Sequence, residues 1–345
     1  MTTSTNSGRS KWKSPSNIAL VKYWGKKGFQ IPSNASLSFT LSNCHTITEL
    51  EWEASTELSV EVFFEGRKNE AFAPKVLSFF EHVSNEHPVL KNYRYKLHTE
   101  NTFPHSSGIA SSASGMSALA LCVCSMLVEL GGTIPDFFQE ASHLARIGSG
   151  SASRSVYGGL VEWGIHDDYD GSSDHYAVPY KKAHNVFNNF QDTILIVHEG
   201  QKSVSSSIGH GLLNDHPLAE RRFDIAQQNM EKLKEILDSG DLDKFVELVE
   251  FEALMLHSLM MTSSPSYILM EPNTLAIIQK IRDFRKQNGT HITFTLDAGA
   301  NVHLLYPEKD IDMAKQLLDN ELVGHCVNGK YICDNVGNGP TQLEC

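Results

Sequence analysis

The sequence is short of positive charge. It carries 29 Lys and Arg residues against 41 Asp and Glu residues, for a formal net charge of −12. Non-specific binding to nucleic acid and attachment to an anionic lipid surface both need a basic face, so this deficit argues against both. A protein of this charge that binds an anionic small molecule must place a few Lys and Arg locally, at the binding site.

Cysteine patterns that bind metals are also missing. The six cysteines form no C-x-x-C motif, and no His/Cys spacing suits zinc. They are Cys44, Cys122, Cys124, Cys326, Cys333 and Cys345. We expect free, buried thiols in a reducing compartment, and hence a cytoplasmic protein.

No apolar run reaches the ~20 residues that a membrane-spanning helix needs. The longest, Met116 to Leu130, follows a small-residue turn, as a buried helix would. Residues 1–10 are polar and lack the apolar core of a signal peptide. We therefore expect neither an anchor nor a membrane partner, and 345 residues with 41% apolar content suit one large or two ordinary globular domains.

The familiar phosphate-binding motif G-x-x-x-x-G-K-[ST] is absent as well. In its place, residues 101–115 (NTFPHSSGIASSASG) form a hydroxyl-rich turn without bulky side chains that leads into an apolar segment. Backbone N–H groups and the positive end of a helix dipole can approach a phosphate closely in such a turn. Small residues also permit tight helix–strand packing, which is the alternative interpretation of this segment.

Hydrophobic periodicity predicts an α+β protein. The first half begins with strands and continues with helices, and the second half contains long helices that each end at a glycine or proline. Predicted strands lie at 18–21, 36–41, 47–52, 58–64, 157–163, 192–197, 291–296, 302–306 and 330–333, and predicted helices at 75–86, 116–130, 136–147, 216–239, 242–262, 273–288 and 311–320. We place a domain boundary between residues 188 and 189, with domains at 1–188 and 189–345, and expect a ferredoxin-like second domain.

Three further segments carry chemistry. Residues 16–26 (SNIALVKYWGK) end an apolar strand in two lysines and two aromatic residues, which suits a phosphorylated ligand as well as it suits a solvated strand end. Residues 146–159 (RIGSGSASRSVYGG) place hydroxyls and Arg154 in a narrow loop, where the planar guanidinium matches a carboxylate or phosphate; a flexible linker is the alternative. Residues 293–303 (TFTLDAGANVH) put Asp297 between a buried strand and a turn, where a carboxylate acts either as a base or only as a turn residue.

These strings resemble a known family. The segment 104–113 is similar to the P-x-x-x-G-[LI]-x-S-S-A pattern of the GHMP kinase superfamily, and the segments 17–26, 148–159 and 295–301 are similar to diphosphomevalonate decarboxylases within it. The resemblance runs from Ser14 to Pro340. It implies a GHMP kinase fold with an N-terminal β-rich nucleotide-binding domain. It also implies ATP-dependent decarboxylation of mevalonate 5-diphosphate with Mg²⁺ as cofactor, in a homodimer.

The resemblance also implies roles for particular residues. Asp297 is the expected base, supported by Lys22, Asn17 and Arg154, with Asn17 orienting Lys22 or the base. The expected substrate ligands are Tyr23, Lys26, Lys75, Ser149, Ser151, Arg154, Ser206 and Ser207. The expected nucleotide ligands are Pro104, Ser106, Ser107, Gly108, Ile109, Ala110, Ser111 and Ser112. Ser112 is also the expected Mg²⁺ ligand.

The chain departs from the family pattern at two places. His105-Ser106-Ser107 stands in the phosphate loop where the family has smaller residues, and Ile147 replaces a second basic residue before the G-S-G-S string. A mevalonate 5-phosphate decarboxylase, a mevalonate 3-kinase and an inactive ATP-binding sensor remain alternatives. The histidines show no metal-like pairing, and we expect surface or core roles for His105, His210 and His303.

Overall fold

The computed structural model describes residues 6–104, 109–200 and 204–345, without the side chains of Ser206 and Ser207. The strands are β1 (Ser7–Val21), β2 (Lys26–Gly28), β3 (Ile31–Pro32), β4 (Ser36–Ala54), β5 (Ser59–Phe64), β6 (Arg67–Lys68), β7 (Tyr93–Asn101), β8 (Leu160–Trp163), β9 (Ala177–Pro179), β10 (Gln191–Leu195), β11 (Thr293–Leu296), β12 (Val302–Tyr306), β13 (Tyr331–Asn335) and β14 (Thr341–Leu343). The α-helices are α1 (Ala73–Val83), α2 (Ser111–Glu129), α3 (Phe137–Gly148), α4 (Ser206–Leu212), α5 (Ala219–Ser239), α6 (Leu242–Thr262), α7 (Pro272–Asn288) and α8 (Ile311–Leu317). The predicted α+β class is confirmed.

Most of the strands form one large and one smaller sheet, and β2 pairs with β3 in a separate two-stranded sheet. The large sheet has the order β14-β1-β4-β7-β5-β6, with β8 pairing to β4 and β9 to β8. The smaller sheet has the order β11-β12-β10-β13, and every neighbouring pair in it is antiparallel. Its chain order, strand–helices–strand–strand–helix–strand, is that of a ferredoxin-like unit, as predicted. The domain boundary at 188/189 stays a prediction.

Helix α2 is the core of the large sheet's helical layer. It is apolar all round, as expected of a helix buried on every side, and its buried residues form one cluster with those of α1, α3 and the sheet. It begins at Ser111, five residues before the predicted start, and its 19 residues are long and apolar enough to cross a membrane. However, 72% of its apolar window is buried within the fold, which identifies it as a core helix.

Other boundaries also differ from the predictions. The helix predicted from residue 136 begins one residue later, at Phe137, because the carboxylate of Asp136 accepts the Gln139 N–H as the N-cap. Cys333 and Cys345 are exposed, so the expectation of buried thiols is wrong for these two. Strand β7 was not predicted, and β4 joins two predicted strands across an irregular register. These elements are held by pairing partners that are distant in the chain.

The irregular part of β4 is held by a carboxylate from the other sheet. Asp334 on β13 accepts the backbone N–H groups of Ser42, Asn43 and Cys44 at 2.7–2.8 Å. The register shift between β1 and β4 is a β-bulge, which removes these amide groups from the regular ladder of hydrogen bonds between the strands. The contact ties the two sheets together at this point.

Candidate active site

A cavity of about 520 Å³ lies where the end of β1, the N-terminus of α2, a short 3-10 helix (Gly150–Val156) and the turn after β11 meet. Most of the residues expected at the site line it. They are Asn17, Lys22, Tyr23, Lys26, Lys75, Ala110, Ser111, Ser112, Ser149, Ser151, Arg154 and Asp297. Four segments that are far apart in the sequence therefore converge on one cavity.

The remaining expected residues are elsewhere or are not described. Ile109 is buried in the core, where its carbonyl accepts a hydrogen bond from Ser16 Oγ, and Pro104 is exposed; neither lines the cavity. Ser106, Ser107 and Gly108 lie outside the described residues. The side chains of Ser206 and Ser207 also lie outside them, although both residues belong to α4.

Arg154 is the cavity's buried guanidinium, with 2% of its surface exposed. Its Nη1 donates to Ser36 Oγ at 2.6 Å and its Nε to Ser38 Oγ at 2.9 Å, both on β4. Burial lowers the pKa of Arg154 to about 10, so the side chain remains cationic at neutral pH. Among the described residues these bonds go to neutral oxygens only, which leaves the positive charge available to an anionic ligand.

Asn17 contacts the arginine rather than the lysine. Its Oδ1 accepts from Arg154 Nη2 at 3.4 Å, and its Nδ2 donates to Ser155 Oγ at 2.8 Å and to the Ser151 carbonyl at 3.2 Å. The expectation that Asn17 orients Lys22 or the base therefore differs from the described contacts. Its position favours a role in holding Arg154 and the serine-rich loop.

Lys22 lies at the end of β1 and is 2% exposed. Its Nζ donates to the Ala19 carbonyl at 2.6 Å. Burial lowers the pKa of Lys22 to about 8, and the negative charges of Asp297 and Glu252 oppose this shift. Lys22 is thus a cation close to Asp297 and easily deprotonated above neutral pH.

The backbone of Lys22 is held by a buried ion pair. Glu252 on α6 accepts the Lys22 N–H at 2.9 Å and both Nη atoms of Arg222, at 2.7 and 2.9 Å. Asn229 donates a further bond to Glu252, and Arg222 donates to the Lys22 carbonyl at 3.2 Å. Helices α5 and α6 therefore fix the position of the lysine through its main chain.

Asp297 follows β11 directly and lines the cavity. Its carbonyl accepts from the Gly299 N–H at 2.7 Å and contacts His257 Nε2 at 3.1 Å. The Asp297 carboxylate is only partly buried, and Lys22, Arg154 and His210 all lie close enough for their pKa values to respond to it. A carboxylate beside the two cations Lys22 and Arg154, and open to a cavity, can accept a proton from a bound hydroxyl.

Tyr23 and the serine-rich loop pack tightly together. A Cβ on Gly150 would come within 2.7 Å of the Tyr23 hydroxyl oxygen and of the Trp163 ring, so only glycine fits there. The Tyr23 hydroxyl is buried and has no hydrogen-bond partner among the described residues. Burial raises the pKa of Tyr23, so this group is an unused O–H donor.

The N-terminus of α2 contributes hydroxyls and amides. Lys75 Nζ donates to Ser112 Oγ at 2.7 Å. Burial lowers the pKa values of both Lys26 and Lys75, and repulsion from Lys26 lowers the pKa of Lys75 further. Ala110 precedes the helix at φ +48°, and no side chain caps the first helical N–H groups. Uncapped helical amides beside two lysines provide an anion site.

Two residues of the site were missed from the sequence. His210 on α4 and Trp24 after β1 both line the cavity, and their ring centroids lie 4.4 Å apart. The expectation of a surface or core role for His210 is thus incomplete. The string SSSIGH offered one signal, because it places His210 one helical turn after two serines that were themselves expected at the site.

The chain is similar to known proteins along most of its length. Residues 14–177 match the family described as diphosphomevalonate decarboxylase-like N-terminal domain, and residues 193–342 match the mevalonate 5-diphosphate decarboxylase C-terminal domain. The diphosphomevalonate decarboxylase of Gibberella zeae is 30% identical over 322 residues, which cover 88% of this chain and 82% of that protein.

Solved structures agree with the sequence match. The structure described as "MDDEF in complex with MVAPP, AMPPCP and Magnesium" has a TM-score of 0.85 at 28% identity, covering 98% of this chain and 100% of that one. A mevalonate diphosphate decarboxylase from Enterococcus faecalis has a TM-score of 0.83 at 26% identity, with coverage of 98% and 100%. The predicted GHMP kinase fold is confirmed, and the chain belongs to the diphosphomevalonate decarboxylase family.

Proposed function

We propose that this protein decarboxylates mevalonate 5-diphosphate in an ATP-dependent reaction that yields isopentenyl diphosphate, ADP, phosphate and CO₂. The observation that carries the proposal is Arg154, a buried cation bonded to neutral oxygens in the same cavity as Asp297 and Lys22. A substrate carboxylate supplies the counter-charge that the described residues around Arg154 do not bond to it. Family membership supports the same reaction.

The chemistry assigns a part to each charged group. Asp297 accepts the proton of the tertiary 3-hydroxyl while that oxygen attacks the γ-phosphorus of ATP, and ADP leaves. The C3–O bond then breaks with its electron pair on phosphate. The C1–C2 electrons become the new C2=C3 bond, and CO₂ is released. Arg154 holds the carboxylate, and Lys22 offsets the charge that develops on the transferring phosphoryl group.

The remaining cations and hydroxyls bind the ends of the two ligands. Tyr23, Lys26 and Lys75, with Ser149 and Ser151, face the substrate diphosphate in this proposal, and Ser206 and Ser207 complete its ligands. The N-terminus of α2, with Ala110, Ser111 and Ser112, holds the ATP phosphates.

The described residues also fit a magnesium ion that is bound largely by phosphates. They contain no group of three or more His, Cys, Asp and Glu side chains that could hold a metal alone. Mg²⁺ is commonly held by a few protein oxygens together with substrate phosphates. Ser112 Oγ is the ligand we propose, and the ion would neutralise charge on the ATP oxygens. The complex of a related structure with MVAPP, AMPPCP and magnesium, and the mevalonate diphosphate mediated ATP binding described for the Enterococcus faecalis enzyme, support ATP and Mg²⁺ as the cofactors.

Comparison of mevalonate, its 5-phosphate and its 5-diphosphate tests the function. With ATP and Mg²⁺, we expect ADP and CO₂ to form in equal amounts only with the 5-diphosphate. Equal turnover of the 5-phosphate would identify the monophosphate decarboxylase. ADP without CO₂ would identify a 3-kinase, and ATP binding without ADP formation would identify a sensor.

Asp297→Asn tests the base. We expect this variant to lose turnover by about 10²-fold or more, because general base catalysis contributes at least that factor. ATP binding should persist, as measured by fluorescence titration. A near-normal rate would remove Asp297 from the role of base.

The proposal extends to the protein's setting. We propose a cytoplasmic homodimer that acts on small molecules and binds neither nucleic acid nor membrane. The burial of α2 in the core argues against a membrane partner, and the net charge of −12 argues against nucleic acid. Light scattering coupled to size-exclusion chromatography measures the oligomeric state, and a monomer at micromolar concentration would contradict it.

A further inference from the structure

His210 is a histidine built into the wall of the cavity. It belongs to α4 and is 8% exposed. Its ring lies 4.5 Å from the Tyr23 ring and 4.4 Å from the Trp24 ring, centroid to centroid. Packing between two aromatic side chains fixes the plane of the imidazole, so its two nitrogens have defined directions.

The hydrogen bond to one nitrogen determines which tautomer is present. The Gly25 N–H donates to His210 Nδ1 at 3.0 Å, so Nδ1 carries a lone pair. Burial lowers the pKa of His210 to about 3, repulsion from Lys26 adds to this, and Asp297 opposes it. The neutral ring must then carry its proton on Nε2. In the described parts of the chain no acceptor is bonded to Nε2.

Two glycines make this arrangement possible. Gly25 has φ +102°, a conformation that side chains rarely adopt, and a Cβ there would lie 2.6 Å from the Phe223 ring. A Cβ on Gly209 would lie 2.6 Å from both the Trp24 ring and the Tyr267 hydroxyl. The imidazole lies against Tyr23, whose own hydroxyl is buried and has no hydrogen-bond partner among the described residues.

We propose that His210 is a specificity-determining residue that donates its Nε2–H to an ionised phosphoryl oxygen at the diphosphate end of the substrate. The choice of mevalonate 5-diphosphate rests on the function proposed above. The chemical class of the acceptor rests on the donors that share this wall. The Nε2–H and the Lys26 ammonium have no lone pair with which to accept a hydrogen bond, and the Tyr23 O–H is an unused donor beside them. A wall of donors selects an acceptor-only group, as a phosphate oxygen is.

Two matched substitutions separate the two nitrogens. In His210→Asn, the amide oxygen can replace Nδ1 as the acceptor for Gly25, but the distal donor is lost. In His210→Gln, an amide nitrogen replaces the distal donor. We expect His210→Asn to raise KM for mevalonate 5-diphosphate by about tenfold or more, the effect of losing one hydrogen bond to a charged group. We expect kcat and KM for ATP to stay within about twofold, with a smaller rise in KM for His210→Gln.

The result that overturns the proposal is equally specific. If His210→Asn keeps the wild-type KM for the substrate, His210 does not bind it. If kcat falls while KM is unchanged, or KM for ATP rises as much as KM for the substrate, the residue acts elsewhere. Thermal unfolding of each variant identifies any that fails to fold.

A measurement without turnover keeps this inference separate from the proposed function. In ¹⁵N-histidine NMR of the wild-type protein at pH 7, His210 should show a protonated Nε2 and an unprotonated Nδ1. Inorganic diphosphate should then shift the Nε2 signal and leave Nδ1 nearly unchanged. A shift in a protein that fails to decarboxylate would support His210 and contradict the function. Normal decarboxylation with an unmoved Nε2 signal would do the reverse.

Discussion

Two buried arginines lie close to Lys22 and are bonded in opposite ways. Arg222 and Glu252, whose side chains have no exposed surface, form an ion pair at 2.7 Å, which also binds the Lys22 main chain. Arg154 is bonded to two serine hydroxyls and an amide oxygen. The fold therefore neutralises one arginine internally and leaves the charge of the other for a ligand.

The two bonding patterns correspond to two different roles, one structural and one in ligand binding. A buried charge with an ionic partner has its electrostatic cost offset inside the fold, whereas a buried charge on neutral partners remains a strong attractor for an anion. Arg222 fixes where Lys22 lies, and Arg154 fixes where we propose a carboxylate binds. Substitutions at the two arginines should therefore have distinct effects on stability and on activity.

The largest effect is expected for Arg222→Met. The variant leaves Glu252 buried without its ionic partner, which should lower the free energy of unfolding by about 3–5 kcal/mol. Urea denaturation measures this. The double variant Arg222→Met/Glu252→Leu should recover most of the loss, because no charge is then left buried. A single variant of normal stability would show that the pair contributes nothing.

Arg154→Met should show the opposite pattern. We expect kcat/KM for mevalonate 5-diphosphate to fall on the order of 10²–10³-fold, the usual effect of removing a positioned electrostatic donor. Stability should change less than in Arg222→Met, because the hydroxyls of Ser36 and Ser38 are neutral when left unbonded. Arg154→Lys is the matched control that retains charge without the planar fork. Equal loss of stability in both arginine variants would break the comparison.

Lys22 should give activity and stability opposite pH dependences. Its pKa is lowered to about 8, so kcat/KM should fall as pH rises above 8 and the ammonium is lost. Because the pKa of Lys22 in the folded protein lies below the ordinary lysine value of 10.5, the unfolded chain binds more protons between about pH 8 and 10.5. The contribution of Lys22 to stability therefore rises across this window. In a Lys22→Arg variant, kcat/KM should no longer fall as pH rises above 8. If the variant shows the same fall in activity as the wild-type protein, a group other than Lys22 causes it.

The smallest effect is expected for Glu162→Gln. Burial raises the pKa of Glu162 to about 8 against the attraction of Arg154, so at pH 7 the carboxyl is mostly protonated. The activity of Glu162→Gln at pH 7 should stay within about twofold of the wild-type activity. Because this variant has no ionisable group at position 162, Glu162 cannot contribute to the pH dependence that we assign to Lys22. A large loss of activity would show that Glu162 is the ionic partner of Arg154, which would remove the contrast with Arg222.

Much of the fold follows from local signals. The apolar periodicity and the breakers predicted α6 over Leu242–Thr262 and β12 over Val302–Tyr306 as the structure has them. Strand β7 and the continuity of β4 were missed because they depend on partners far along the chain. In the sequence, Ser42–Cys44 resemble a turn between two strands. In the structure, the Asp334 carboxylate accepts the backbone N–H groups of these residues, and β4 continues through them.

The sequence likewise predicted some residues of the site and missed others. Motifs predicted that Lys22, Arg154 and Asp297 are chemically important, and these three do share a cavity; their roles stay predictions. The sequence did not reveal that Asn17 contacts Arg154, because that bond joins β1 to a loop more than a hundred residues away. Nor did it reveal His210, whose charge state depends on burial and on one backbone N–H.

The short strand β14 has a consequence for folding. Thr341–Leu343 pairs with Lys11–Lys13 at the edge of the large sheet, so this edge is covered only when two segments that are far apart in the chain have met. Until that pairing forms, the outer edge of β1 presents unpaired backbone groups to other chains. A partly folded chain is therefore prone to aggregate along this edge.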